Sequence, residues 1–277
     1  MSKQKKSLVT ENVWRVLRQF TDARIGLGRA GISLPTHELL KFQLAHAQAR
    51  DAVHFPLDVK RLLKDLGESS AALPGQSPLL LKSQAEDRLT YLQRPDLGRS
   101  LSQESLECLA GLCRGDSGKS DVAIVIVDGL SSSAIQNNAV PMVTQFLRDL
   151  EEEAGDWLLA PLIIVEQGRV AIGDEIGECL GASVVVVLIG ERPGLSSPDS
   201  LGIYLSWGPK SGLSDARRNC ISNVRPAGLS FEHASQRLLY LMREARRLGI
   251  SGVSLKDRTQ EVVIEKKTAN NKNFLTD

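Results

Sequence analysis

Three runs of β-branched residues constrain this chain more than any other feature. Val122-Ala-Ile-Val-Ile-Val127, Leu162-Ile-Ile-Val165 and Val184-Val-Val-Val-Leu-Ile189 are apolar at every position. A strand with one wet face alternates apolar and polar residues. A strand without alternation is buried on both faces, the habit of parallel sheets covered by helices. Helical stretches are expected between the runs, over 134–153 and 175–180, and again over 232–248. Strand, helix and strand in that order predict a parallel sheet with right-handed crossovers. The fold class is therefore α/β: a Rossmann-like parallel sheet domain over 116–255, preceded by a smaller helical N-terminal region over 1–115 and followed by a polar tail over 256–277.

The N-terminal region has a different period. Apolar residues at 13, 16, 17 and 20 give the one-face spacing of an amphipathic helix. A second helix is expected after Pro35, with Thr36 as its N-cap and Glu38 in the first turn, where a carboxylate suits the helix dipole. Shorter helices are expected over 57–66 and 103–112, and the boundary falls in Gly115-Asp-Ser-Gly-Lys-Ser120.

Charge and cysteine content narrow the function. Lysine and arginine total 34 against 33 acidic residues, so the basic excess of a nucleic-acid binder is missing. Aromatic residues are 4% of the chain, too few for base-stacking platforms. No apolar run approaches the ~20 residues of a membrane span. Cys108, Cys113, Cys179 and Cys220 lack zinc-ligand spacing, and free thiols in a reducing cytoplasm are the expectation. No nucleic acid, membrane or protein-bound metal is expected.

The familiar motifs fail on context. Gly26-Leu-Gly-Arg-Ala-Gly31 has dinucleotide-binding spacing but follows a helical stretch and is followed by Pro35, so it reads as a turn. Gly115–Ser120 ends like a phosphate-binding loop but precedes a strand. Asp128-Gly-Leu-Ser131 sits at a strand-to-helix junction without the second glycine of a nucleophile elbow, and reads as a polar loop that caps a helix. Ligands on open α/β sheets bind beyond the carboxyl ends of the strands. Those ends carry Asp128-Gly-Leu-Ser131, Glu166-Gln-Gly-Arg-Val170 and the loop from Gly190 to Asp199. The stretch 190–230, with one short strand-like patch at 203–207, is expected to be a long irregular functional connection.

Several motifs together point to a family. Thr21-Asp-Ala-Arg-Ile-Gly-Leu-Gly-Arg-Ala-Gly31, Tyr91-Leu-Gln-Arg-Pro-Asp-Leu-Gly-Arg99, Val127-Asp-Gly-Leu-Ser131 and Gln167-Gly-Arg-Val170 occur in that order. Gly173-Asp-Glu-Ile-Gly-Glu178, Gly190-Glu-Arg-Pro-Gly-Leu195 and Arg218-Asn-Cys-Ile-Ser-Asn223 follow. In this order they resemble the small subunit of ethanolamine ammonia-lyase, over residues 13–255. The resemblance implies an adenosylcobalamin-dependent lyase that converts ethanolamine to acetaldehyde and ammonia in ethanolamine degradation. It implies a large partner subunit, a TIM barrel that binds ethanolamine and hosts the radical chemistry, and a hetero-oligomer. This chain would be the non-catalytic, cofactor-gripping half.

Three cofactor contacts carry over with the motifs: Val170, packing on the corrin; Glu191, whose carboxylate accepts hydrogen bonds from corrin amides or a nucleotide-loop hydroxyl; and Cys220, a packing contact. The chain lacks the D-x-H-x-x-G signature that offers a histidine to cobalt. This agrees with the family's cofactor keeping its own dimethylbenzimidazole on the metal, base-on. A cytoplasmic location is expected, with a bacterial microcompartment as the alternative. The short segment before the first helix disfavours the latter. A self-sufficient Rossmann-type nucleotide-dependent enzyme and a purely structural subunit are the competing readings.

Overall fold

The computed structural model describes residues 8–69, 76–113, 120–153 and 156–259. Most of the 115–120 boundary segment and the tail from 260 onward lie outside the described residues. At the centre is a six-stranded sheet of β1 (Leu79–Lys82), β2 (Val122–Val127), β3 (Ile163–Glu166), β4 (Val184–Gly190), β5 (Leu201–Trp207) and β6 (Arg218–Val224). Their spatial order is β1-β3-β2-β4-β5-β6. The first four are parallel, whereas β5 runs antiparallel to β4 and β6 antiparallel to β5. The sheet is thus mixed. The expectation of a parallel sheet holds for its centre and fails at one side, because the chain returns from β4 by a short connection instead of a helical crossover.

Alternation within β2 explains why its sequence shows none. Val122, Ile124 and Ile126 face one core with helices α2 (Val59–Glu68), α5 (Ser132–Glu152) and α7 (Phe231–Leu248). Ala123, Val125 and Val127 face a second core, covered by α4 (Gln103–Cys113) and α6 (Ile172–Cys179). Each fully buried valine, leucine or isoleucine contributes roughly 1.5–3 kcal/mol. Two dry faces therefore call for apolar residues throughout. Capping completes the helices: Ser131 accepts from the Ala134 amide at the start of α5, and Gly249 closes α7 in the left-handed conformation.

Three local expectations change. Residues Val13–Gln19 form a 3₁₀ helix that buries none of its side chains, in place of an amphipathic α-helix. Helix α1 (Thr36–His54) is capped by Pro35, not Thr36, and receives no side-chain cap bond. Glu38 does lie in its first turn, buried and held by Arg18 at 2.7 Å. Finally, the long connection 190–230 contains β5 and β6.

The Gly26–Gly31 turn binds the chain to itself. A Cβ at Gly26 would meet the Arg15 amide nitrogen at 2.7 Å, and one at Gly28 the Thr10 carbonyl at 2.7 Å, and both glycines are left-handed. The glycines admit neighbouring backbone where a dinucleotide fingerprint would leave room for pyrophosphate.

The N-terminal elements leave several large apolar side chains exposed. Trp14, Phe20, Ile32, Leu40, Leu44 and Phe55 are all more than 40% exposed. Arg24 joins α1 to the loop after β4, donating to the Leu195 carbonyl at 3.3 Å while lying over the Phe42 ring.

Candidate functional site

The carboxyl ends of β2, β3 and β4 converge on Asp128, Gln167 and Gly190. Gly129 adopts a left-handed φ of 59°, and Gly129 and Gly190 are in backbone contact, so the loops after β2 and β4 touch. Gln167 is left-handed too, at φ 58°, an uncommon conformation for a residue with a side chain. Asp128 is fully buried; one oxygen accepts from the Gly168 amide at 3.2 Å and the other faces Arg88 at 3.3 Å. Tyr91, on α3 (Arg88–Gln93), donates to the Gly168 carbonyl at 2.9 Å, and the guanidinium groups of Arg88 and Arg169 lie over its ring at 5.0 and 4.3 Å from the centroid.

Beside this convergence opens a cleft of about 630 Å³. Pro95, Arg99, Arg169, Val170, Tyr204 and Cys220 are among its lining residues. Val170 comes from the loop after β3 and Cys220 from β6, so the fold brings together two of the three site residues expected from sequence. Cys220 is exposed and pairs across the sheet with Tyr204. Burial, reinforced by Cys220 and then by Glu191, pushes the Tyr204 phenol up and keeps it protonated.

Glu191 stands apart from the cleft lining. It follows β4, accepts hydrogen bonds from the Ser200 hydroxyl and from the Asn223 amide at 3.2 Å, and lies against Gly202. It is thus tied to β5 and β6, the strands that carry Tyr204 and Cys220.

In the wall of the cleft, where Arg218 is a lining residue, lies an ion pair that sequence reasoning missed. Arg218, at the start of β6, grips Asp174 of α6 at 2.7 and 3.3 Å, and both side chains are 2% exposed. Arg88 was missed for the same reason: an arginine in sequence reads as a solvated charge. The signal available was its place three residues before Tyr91, which opens one of the family-like motifs.

Burial pushes Asp128 and Asp174 up to about 6 each, against the opposing pull of Arg88 and Arg218. A carboxyl that holds its proton more tightly in the folded state adds stability that is complete below its unfolded pKa and is lost as pH rises through the folded one. Urea unfolding is therefore expected to show the chain less stable at pH 7 than at pH 5, by on the order of 1 kcal/mol for each carboxyl. Asp174→Asn should roughly halve that difference. A flat profile would contradict the assignment.

Cofactor fit follows from the lining. Val170, Pro95 and the Tyr204 ring offer apolar contact to the edge of a large planar ring system. Arg99, Arg169 and Asp96 offer charge to peripheral amides or a phosphodiester. The Arg169 Nε is buried without a hydrogen-bond partner among the described residues. A mixed lining with an unsatisfied donor suits a ligand of that kind.

Comparison with known proteins gives clear matches. Residues 11–256 match the family model for the ethanolamine ammonia-lyase light chain (EutC). Proteins described as ethanolamine ammonia-lyase small subunit are similar over nearly the whole chain. That of Pseudomonas fluorescens SBW25 is 54% identical over 255 residues, covering 92% of this chain and 90% of its own. That of Azotobacter vinelandii is 54% identical over 270 residues, covering 98% and 97%. That of Pseudomonas syringae pv. tomato DC3000 is 56% identical over 256 residues, covering 92% and 86%.

Proposed function

The chain belongs to the ethanolamine ammonia-lyase light-chain family, and from that premise we propose that it supplies one wall of a base-on adenosylcobalamin site whose other wall is the large subunit. A small subunit of a lyase implies a large partner. The partner is a TIM barrel that binds ethanolamine and carries out its conversion to acetaldehyde and ammonia. When bound, the cofactor supplies carbon–cobalt homolysis, and this chain's residues only hold and orient it. Val170 packs on the corrin, Cys220 on the ring edge, and Glu191 fixes the β5–β6 side of the cleft and accepts from a peripheral donor.

The observation that supports this reading is that the loop after β3 and the edge strand β6, distant in sequence, place Val170 and Cys220 on one cleft: Val170 lies beyond the end of β3, and Cys220 lies level with the middle of the sheet, opposite Tyr204 and through it Val187 of β4. The exposed apolar side chains of residues 14–55, tied to the loop after β4 through Arg24, offer a large subunit a second place to bind. The assembly works in ethanolamine degradation, in the cytoplasm. Among the described residues no helix is long and apolar enough to cross a membrane.

Reconstitution tests the division of labour. The chain alone should release no acetaldehyde from ethanolamine, and mixing it with the large subunit and adenosylcobalamin should restore turnover. Cys220→Trp, which fills the cleft, should raise the half-saturating cobalamin concentration by more than about tenfold, equivalent to roughly 1.4 kcal/mol, whereas Cys220→Ser should shift it little. Turnover by the chain alone, or indifference to Cys220→Trp, would sink the proposal.

A further inference from the structure

Arg88 has more acceptors than a structural ion pair needs. Its side chain is only 10% exposed. Nε donates to the Val53 carbonyl at 2.7 Å, in the last turn of α1. One terminal nitrogen donates to the Gly129 carbonyl at 2.7 Å, to Asp128 at 3.3 Å and to Gln167 Oε1 at 3.4 Å. The other terminal nitrogen is buried without a hydrogen-bond partner among the described residues. One guanidinium thus ties α1 to the loops after β2 and β3. The last of its acceptors is the side chain of the left-handed Gln167. The residues that follow, Gly168, Arg169 and Val170, run from the Asp128 carboxylate to the cleft wall.

We infer that Arg88 is a positioning residue for the cofactor: through Asp128 and Gln167 it sets the path of residues 167–170 and so the placement of Val170 against the corrin. The inference rests on the cobalamin reading above and adds to it a residue that touches no cofactor. A rigid fork bridging several carbonyl and carboxylate oxygens is what a guanidinium does and an ammonium does not. If the loop were held by packing alone, Gln167 would gain by relaxing out of the left-handed region, since its side chain pays for that conformation.

The test is a titration of the reconstituted two-subunit enzyme with adenosylcobalamin, reading turnover at each concentration. Arg88→Gln should raise the half-saturating concentration about tenfold, the loss of a charged hydrogen-bond set, with turnover at saturation unchanged. Arg88→Lys, which keeps the charge beside Asp128, should recover part of that loss. Gln167→Gly should weaken cofactor binding while the melting temperature holds or rises, because it releases both the strain and the link to Arg88. A purely structural role moves stability and affinity together. Unchanged half-saturation in Arg88→Lys and Gln167→Gly would overturn the inference even if Arg88→Gln does not fold. Cys220→Trp in the same titration separates the two claims. If it weakens binding and the Arg88 and Gln167 variants do not, only the positioning role falls; if none does, the cobalamin reading falls with it.

Discussion

Arg218→Leu is expected to destabilise the subunit by about 3–5 kcal/mol, the cost of leaving a buried carboxylate without its partner. The estimate follows from the surroundings of Asp174: the carboxyl is 2% exposed and faces Arg218 at 2.7 Å, and Arg218 also donates to the Leu213 carbonyl at 3.0 Å. Removing the cation strands the anion on α6. It also frees the start of β6, the strand that carries Cys220 to the cleft. Removing both members, as Asp174→Leu with Arg218→Leu, should recover most of the loss, since buried pairs are often replaced by apolar residues at little cost. Urea unfolding of the two variants checks the pattern. A single variant within about 1 kcal/mol of the parent would show that water reaches the pair.

Gly190→Ala should cost about 3 kcal/mol, at the upper end of overpacking penalties. The added methyl would overlap the Ser131 carbonyl and approach the Asp128 carbonyl to 2.6 Å. Both are backbone atoms of the loop after β2, so no side chain can swing away. The two strand ends must separate, and the cleft beside them changes shape. Gly212→Ala is the contrasting case. Gly212 is left-handed at φ 84° with nothing within 4 Å of a built Cβ, so only conformational strain of roughly 1–2 kcal/mol is expected. Equal losses at the two positions would mean that the crowding at Gly190 relaxes elsewhere.

The sheet centre was legible because burial on both faces leaves a sequence no alternative to continuous apolar residues: β2 and β4 are buried at every position. The helices between them were legible for the complementary reason, having one wet face. β1 was not, since Leu79-Leu-Leu-Lys82 is four residues long and leucine favours helices as readily as strands. β6 was not, because Arg218, Ile221 and Val224 are its buried positions and that spacing matches no strand period. Its polar residues serve local ties: Asn219 donates to the carbonyls of Gly252 and Leu255 and accepts from the Gly252 amide.

The candidate site was legible in part. Its Arg169–Val170 side lies beyond the end of β3, as the α/β pattern leads one to expect, whereas its Tyr204 and Cys220 side lies along β5 and β6. Val170, Glu191 and Cys220 came from motif resemblance, and nothing in their own spacing distinguishes them from loop packing. The supporting layer of Arg88, Tyr91, Asp174 and Arg218 was hidden because charged and phenolic side chains become buried only when the fold brings their partners to them.

The central claim is that this chain and a large subunit each supply part of one cobalamin site. Equilibrium binding of adenosylcobalamin to the isolated chain, to the isolated large subunit and to the assembled pair tests it most directly. Half a site on each protein predicts tight binding by the pair and affinity at least about a hundredfold weaker, a difference of roughly 2.7 kcal/mol, for either protein alone. Binding by the isolated large subunit as tight as that of the pair would contradict it, and would leave this chain a structural subunit.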